Sequence, residues 1–242
     1  MAPEIIIIAA LFVVAALYSS VGHGGASGYL AVMAFFGVAS TVTRPTALVL
    51  NLFVASIAFI QFYRAGHFDW KIFLPFAAAS VPFAFVGGMI ELPTAVYKMI
   101  LGAALILAAL RLAVNLKSDD RVQPPKIWIC LVIGAILGLV SGLIGIGGGI
   151  FLTPLLLLLR WTETKKAAGI SALFILVNSI SGLLGNRAQV AELPTNVWFW
   201  IAAAVAGGII GSTLGSRRFG SMTLRRVLAC GLVIAGLKLI FT

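Results

Sequence analysis

The chain has 242 residues, of which 61% are hydrophobic and 10% charged, against roughly 45–50% and 25% in an ordinary soluble domain. Apolar stretches recur from Ile5 to Phe241, so no soluble domain of normal size can be cut out, and most cytosolic enzymes and nucleic-acid binders are excluded. The formal net charge of +10 comes from 17 Lys and Arg placed between the apolar runs, where the positive-inside bias puts them, so it reports orientation in a lipid bilayer and not a nucleic-acid partner.

In chain order the apolar segments run over 5–20, 28–38, 47–63, 72–90, 96–114, 127–144, 150–159, 167–184, 197–214 and 224–241. The first begins Met1-Ala-Pro-Glu; without the basic n-region of a signal peptide it reads as a membrane segment. A helix rises about 1.5 Å per residue and the hydrocarbon core is about 30 Å thick, so a full span needs about 20 residues. Segments 28–38 and 150–159 are too short. Each follows a longer apolar helix and a glycine cluster, which predicts a helix, a non-helical break and a half-helix, the form that transporter sites take. The clusters, Gly22-His23-Gly24-Gly25 and Gly145-Ile146-Gly147-Gly148, share G-x-G-G at a separation of 123 positions, and Trp70 and Trp198 follow at similar distances. The chain thus divides into a first transmembrane repeat over 1–116, a cytoplasmic linker over 117–126 and a second repeat over 127–242. Cys130 and Cys230 lie in apolar runs, fit no metal-ligand spacing and read as small core residues.

Charge counting orients the halves. If each glycine-broken unit crosses once, Lys and Arg split almost evenly between the two sides and neither is cytoplasmic. If each unit turns back at its glycines, Arg64, Lys71, Arg111, Lys117, Arg121, Lys126, Arg160, Lys165, Lys166, Arg217, Arg218, Arg225 and Arg226 share one side, against Arg44, Lys98, Arg187 and Lys238 on the other. The positive-inside rule favours the second arrangement. The expected fold is an all-α polytopic membrane protein of two inverted repeats, each a glycine-broken helical hairpin plus three spanning helices, eight to ten membrane segments in all. Both termini face outward from the cell membrane in this arrangement.

A break inside a bilayer exposes backbone N–H groups that protein, water or a ligand must satisfy. The half-helices starting near Ser27 and Ile150 aim their positive ends at the breaks, and glycine lets a ligand approach the backbone. The implied ligand is a small anion, held by dipoles and by hydroxyls such as Ser27 and Thr153. The competing reading of the glycines is close helix packing. His23, where the other half has Ile146, hydrogen-bonds the anion or carries a coupling proton, or else is simply bonded to a neighbouring carbonyl. Asn51, Ser56 and Gln61 in one half, and Ser171, Asn178, Ser179 and Ser181 in the other, are intramembrane polar residues that line a path or bond across helices. Arg44, just before Pro45 at a helix start, gains nothing there from the dipole of its own helix, and reads as an outer-mouth anion attractor or a headgroup anchor. No Asp or Glu lies mid-segment, which argues against a cation transporter. No metal or other cofactor is expected.

With these residues in hand the chain resembles the sulfite exporter TauE/SafE family of membrane permeases. The resemblance rests on Gly145-Ile-Gly-Gly-Gly-Ile-Phe-Leu-Thr-Pro154, on Ala168-Gly-Ile-Ser171, on the first-half copy Gly22-His-Gly-Gly-Ala-Ser-Gly28 and on the duplicated hydropathy. It carries over to Gly22, Gly24, Gly25, Gly145, Gly147, Gly148, Gly149, Pro154 and Ser171. The first half departs at Ala26 in place of a glycine, at Ala31 opposite Pro154, and at His23. The resemblance implies a secondary transporter, an exporter of a small sulfur-containing oxyanion such as sulfite, bound by the glycine-rich breaks and moved by alternating access. The alternatives are a transporter of organic sulfonates or carboxylates and a passive anion channel; an intramembrane enzyme and a non-transporting scaffold are weaker rivals. Either the membrane potential drives export, or a proton moves with the anion, through His23 or on the anion itself.

Overall fold

The computed structural model describes residues 2–113, 123, 125–187, 193, 196–217, 232–234 and 236–241. Most of the predicted linker, with Lys117 and Arg121, and also Arg218, Arg225, Arg226 and Cys230, lie outside the described residues. Every regular element among the described residues is helical: α1 (Ala2–Ser19), α2 (Ala26–Phe35), α3 (Ser40–Arg64), α4 (Trp70–Met89), α5 (Thr94–Ala113), α6 (Ile127–Ile144), α7 (Gly149–Leu158), α8 (Thr164–Gly185), α9 (Val197–Arg217) and α10 (Leu232–Phe241). Stretches of α3, α4, α6, α8 and α9 are long and apolar enough to cross a membrane. Large side chains such as Leu74, Trp128, Trp198 and Phe241 point outward and exposed, as a lipid-facing surface requires. Asp69 caps α4 by accepting from the Lys71 amide at 2.9 Å.

Glycine decides how the helices approach. On α6, Gly134, Gly138 and Gly142 lie against the backbone carbonyls of Phe76, Ser80 and Ala84 on α4. On α9, Gly207, Gly211 and Gly215 lie against those of Phe12 and Ala16 on α1 and of Ser20 just past its end. Without a side chain between them the helices touch backbone to backbone, which brings the dispersion gain that holds helices together where no water is displaced. Both stripes have G-x-x-x-G spacing and lie outside the two glycine clusters.

These contacts also set directions. The matched pairs rise together in α4–α6 and in α1–α9, so each pair is parallel. Val54 against Gly208, and the Gln61–Thr213 bond at 3.4 Å, make α9 parallel to α3. By contrast α8 is antiparallel to α3: Gly169 lies at Phe62, Ser179 bonds Asn51, and Gly182 lies at Leu48. The glycine-broken units turn back. The end of α2 meets Lys238 near the start of α3, and the segment after α7 returns Trp161 to Phe76, near the start of α4. Arg64, Lys71, Lys126, Arg160, Lys165 and Lys166 therefore lie at one end of the bundle, where α5 and α9 also close with Arg111 and Arg217. Arg44, Lys98, Arg187 and Lys238 lie at the opposite end, together with Ala2 and Phe241.

Candidate functional site: the meeting point of two helix breaks

Each short helix begins at a left-handed glycine. The N-cap of α2 is Gly25 (φ 97°) and that of α7 is Gly148 (φ 76°), and neither has a side-chain cap. Gly22 and Gly145 precede them at φ 76° and 79°. These are conformations that an L side chain adopts only at a cost, so here glycine is required by the backbone and not only by packing. The uncapped N-termini leave first-turn amides and the positive end of the helix dipole facing the break.

The two breaks close on the same side chains, contributed by α3 and α8. A Cβ placed on Gly24 would fall 2.5 Å from Asn51 Oδ1 and 3.0 Å from Ile175 Cγ2. One placed on Gly147 would fall 2.9 Å from Asn51 Nδ2, 2.9 Å from Ile175 Cγ2 and 3.3 Å from Ser179 Oγ. Asn51 and Ile175 each stand near the middle of their helices, α3 and α8. Asn51 is fully buried and its Nδ2 donates to Ser179 Oγ at 3.3 Å, while its Oδ1 has no hydrogen-bond partner. An orphaned buried acceptor in a native fold calls for an explanation.

The flanking contacts are exchanged between the halves. Gly22 packs on Ala168 at the start of α8, and Gly145 packs on Arg44 at the start of α3; Ala168 and Arg44 are 124 positions apart. Each break thus rests on the helix that follows the other break.

The remaining candidate residues separate into local roles. Thr153 lies 2.7 Å from Ser171 Oγ and 3.3 Å from the Gly149 carbonyl, so these hydroxyls tie α7 to α8. Gly149 itself lies against Ile175 and the Ser171 carbonyl. Asn178 turns its amide back to Phe174 O at 2.7 Å, and its Oδ1 is buried without a partner. His23 is buried with Nδ1 3.1 Å from the Val21 carbonyl, the neighbouring-carbonyl contact of its second reading. Ala26, Ser27 and Ile146 are buried around the breaks, and Gly25 lies under the Tyr29 hydroxyl. Two residues at the centre, Ile175 and Ser179, are not among the candidates from the cluster pattern. An apolar side chain carries no chemical signal, and Ser179 shows only as one of several intramembrane serines.

Arg44 differs from both of its sequence readings. It is buried, and its guanidinium donates to the Gly87, Gly88 and Ile90 carbonyls at 2.8, 2.7 and 3.1 Å. These carbonyls close α4, so Arg44 does gain from a helix dipole, that of a neighbour meeting it end-on.

The pattern described as Sulfite exporter TauE/SafE matches residues 7–239. The chain belongs to this family. "Probable membrane transporter protein y4hK" of Sinorhizobium fredii is 38% identical over 237 residues, covering 96% of both chains. "Probable membrane transporter protein YjnA" of Bacillus subtilis is 27% identical over 256 residues, covering 97% of this chain and 98% of the relative. "Probable membrane transporter protein MJ0441" of Methanocaldococcus jannaschii is 29% identical over 190 residues, 72% of this chain and 68% of the relative. No solved structure matches the chain. As a TauE/SafE family member the protein is a multi-pass membrane transporter and not an enzyme.

Proposed function

We propose that the protein is a secondary transporter, an exporter, of a small sulfur-containing oxyanion such as sulfite, which binds where the two breaks meet and moves by alternating access between two inverted repeats. One observation carries this reading: Gly24 and Gly147 approach the same Asn51–Ile175 pair from half-helices that leave the centre toward opposite ends. The exchanged contacts of Gly22 with Ala168 and Gly145 with Arg44, and the opposed directions of α3 and α8, support the inversion. First-turn amides of α2 and α7 donate to the charged oxygens, with no Lys or Arg in contact, so binding stays reversible. The orphaned Asn51 Oδ1 suits a singly protonated anion, whose O–H it accepts while charged oxygens take backbone N–H groups. In that form the proton travels on the anion. Rotating the amide by half a turn would instead let Ser179 donate to Oδ1 and aim the NH2 group at a fully ionised ligand. The Ile175 methyl between the breaks has to move aside for either ligand, which fits a carrier that rearranges better than an open pore.

The test is flux of labelled sulfite, thiosulfate, sulfate and a sulfonate in proteoliposomes, for the native chain and for Asn51→Asp. This variant is close to isosteric but adds a negative charge beside the ligand. Saturable flux with counterflow of a sulfur oxyanion is expected, reduced at least about tenfold by Asn51→Asp, the equivalent of about 1.4 kcal/mol, in protein that still purifies as the folded species in detergent. Absence of flux for all four anions, or equal flux in the variant, overturns the site. Flux that neither saturates nor shows counterflow overturns alternating access.

A further inference from the structure

At the sparsely charged end of the bundle a cavity of about 440 Å³ opens between the end of α2, the start of α3, the start of α5 and the end of α10. Its polar lining is Thr41, Thr43, Thr94, Tyr97, Lys98 and Lys238, and among the described residues no carboxylate lines it. The Lys238 ammonium is fixed at one edge, donating to the Phe35 carbonyl at 2.7 Å and lying 5.1 Å over the Phe35 ring. Thr43 donates its hydroxyl proton to Ala39 O at 2.8 Å, so it shapes the wall, and Thr41 and Thr94 are the lining hydroxyls left to donate.

The place of the lysines is informative because of where they are not. The sequence puts four Lys and Arg on this side, Arg44, Lys98, Arg187 and Lys238. Two of the four line one cavity, and a third lies next to its back wall. Tyr97 is that wall: its ring borders the cavity, and its hydroxyl lies 3.5 Å from the Ile144 carbonyl, one residue before the second break. Gly145 in turn packs on Arg44. Lys98 and Lys238 reach the cavity from different helices, α5 and α10, and Arg44 lies behind Tyr97 with its guanidinium on the end of α4.

We propose that this cavity is a second anion-binding site, an antechamber that collects a small soluble oxyanion at the end of the bundle opposite the basic loops and passes it to, or receives it from, the second break past Tyr97. The Lys98 and Lys238 charges raise the local anion concentration, the threonine hydroxyls not already spent on the backbone donate to the oxygens, and Tyr97 separates the antechamber from the central site. Binding in the cavity stands by itself; its role as an antechamber rests on the proposed anion transport.

Two measurements keep those claims apart. In a background with Cys130 and Cys230 replaced by serine, Thr94→Cys gives a thiol in the cavity wall. Its modification rates by a sulfonate-bearing and by a trimethylammonium-bearing methanethiosulfonate reagent are compared in detergent free of phospholipid. The anionic reagent is expected to react faster, and Lys98→Gln and Lys238→Gln together to lower the ratio of the two rates about tenfold, the lower range for charge-focused clefts. Millimolar sulfite or sulfate is expected to protect the thiol. If the rate ratio does not respond to the lysines, or if an added anionic phospholipid protects while sulfite and sulfate do not, the cavity is not a site for soluble anions. In oriented proteoliposomes the same lysine variants are expected to raise the half-saturating anion concentration severalfold from the cavity side alone. Equal shifts from both sides, or none, in a chain whose native form transports would overturn the antechamber while leaving the central site intact. Absence of transport in the native chain, with thiol protection preserved, would overturn the transport reading and leave the binding site.

Discussion

Glycine has two distinct duties in this protein, and single residues separate them. Gly148 needs its glycine because its φ is 76° and because a Cβ would come within 2.9 Å of Phe174 Cε1. Gly24 has no positive φ, and its demand is for space beside Asn51. Gly148→Ala is therefore expected to lower stability by about 1–2 kcal/mol, the cost of a left-handed L residue, read as a lower thermal midpoint in detergent. Gly24→Ala carries less backbone strain but displaces the Asn51 amide, so its expected effect is a larger loss of anion flux than of thermal stability. A Gly24→Ala protein that transports at the native rate would remove Asn51 from the site. At this scale the sequence is legible only in part. The G-x-G-G spacing marks both breaks, but that Asn51 belongs to them while Asn178 turns to its own helix depends on which way each helix faces. That rotation is set by packing against α3 and α8, which an isolated polar residue does not announce.

The helices show how one contact can be built from either partner. In the α1–α9 pair the small residues that admit close approach are Gly207, Gly211 and Gly215 on α9; in the α4–α6 pair they are Gly134, Gly138 and Gly142 on α6. α1 and α6 each lead into a glycine break, yet the stripe lies on α9 in the one pair and on α6 in the other. A contact between two backbones needs a missing side chain on one helix only, which frees the other to carry Phe12, Ala16 or Phe76. Gly138→Val would push into the Ser80 backbone, and overpacking of this kind costs about 1–3 kcal/mol. A drop of several degrees in the thermal midpoint is expected, with no change for Ile136→Val, two residues away on the lipid-facing side. If the two variants melt alike, α4 and α6 are not held by this stripe. Packing accounts for the stripe glycines, and a positive φ sets Gly22, Gly25, Gly145, Gly147 and Gly148 apart from them.

Over the whole molecule the charge asymmetry becomes a statement about orientation. The loop around Ala65 lies at the end that carries most of the Lys and Arg, and Ala39 lies at the other; both residues are exposed. In a chain with Cys130 and Cys230 replaced, Ala39→Cys in intact cells is expected to react with a membrane-impermeant thiol reagent, and Ala65→Cys only after permeabilisation. The reverse pattern would turn the protein over in the membrane, and labelling of both from outside would remove the positive-inside argument. The helix directions decide a related matter. Since α2 and α7 are ten residues each, about 15 Å long, they reach the middle of the bundle from one end and no further, and the two breaks can meet at a common depth.

Composition alone determined that this chain lives in a bilayer, because 61% hydrophobic residues with 10% charged leave no soluble core to cut out. Spacing alone determined the two breaks, because glycine pairs before undersized helices are a local signal, and charge counting selected the turned-back hairpins because each crossing changes the side of every later loop. Only the tertiary structure decided that the breaks share Asn51 and Ile175, that Arg44 closes the end of α4, and that Lys98 and Lys238 face one cavity. Those relations join residues tens to more than a hundred positions apart in sequence. They depend on helix rotation and approach, which follow from backbone contact at glycine and have no period that can be read along the chain.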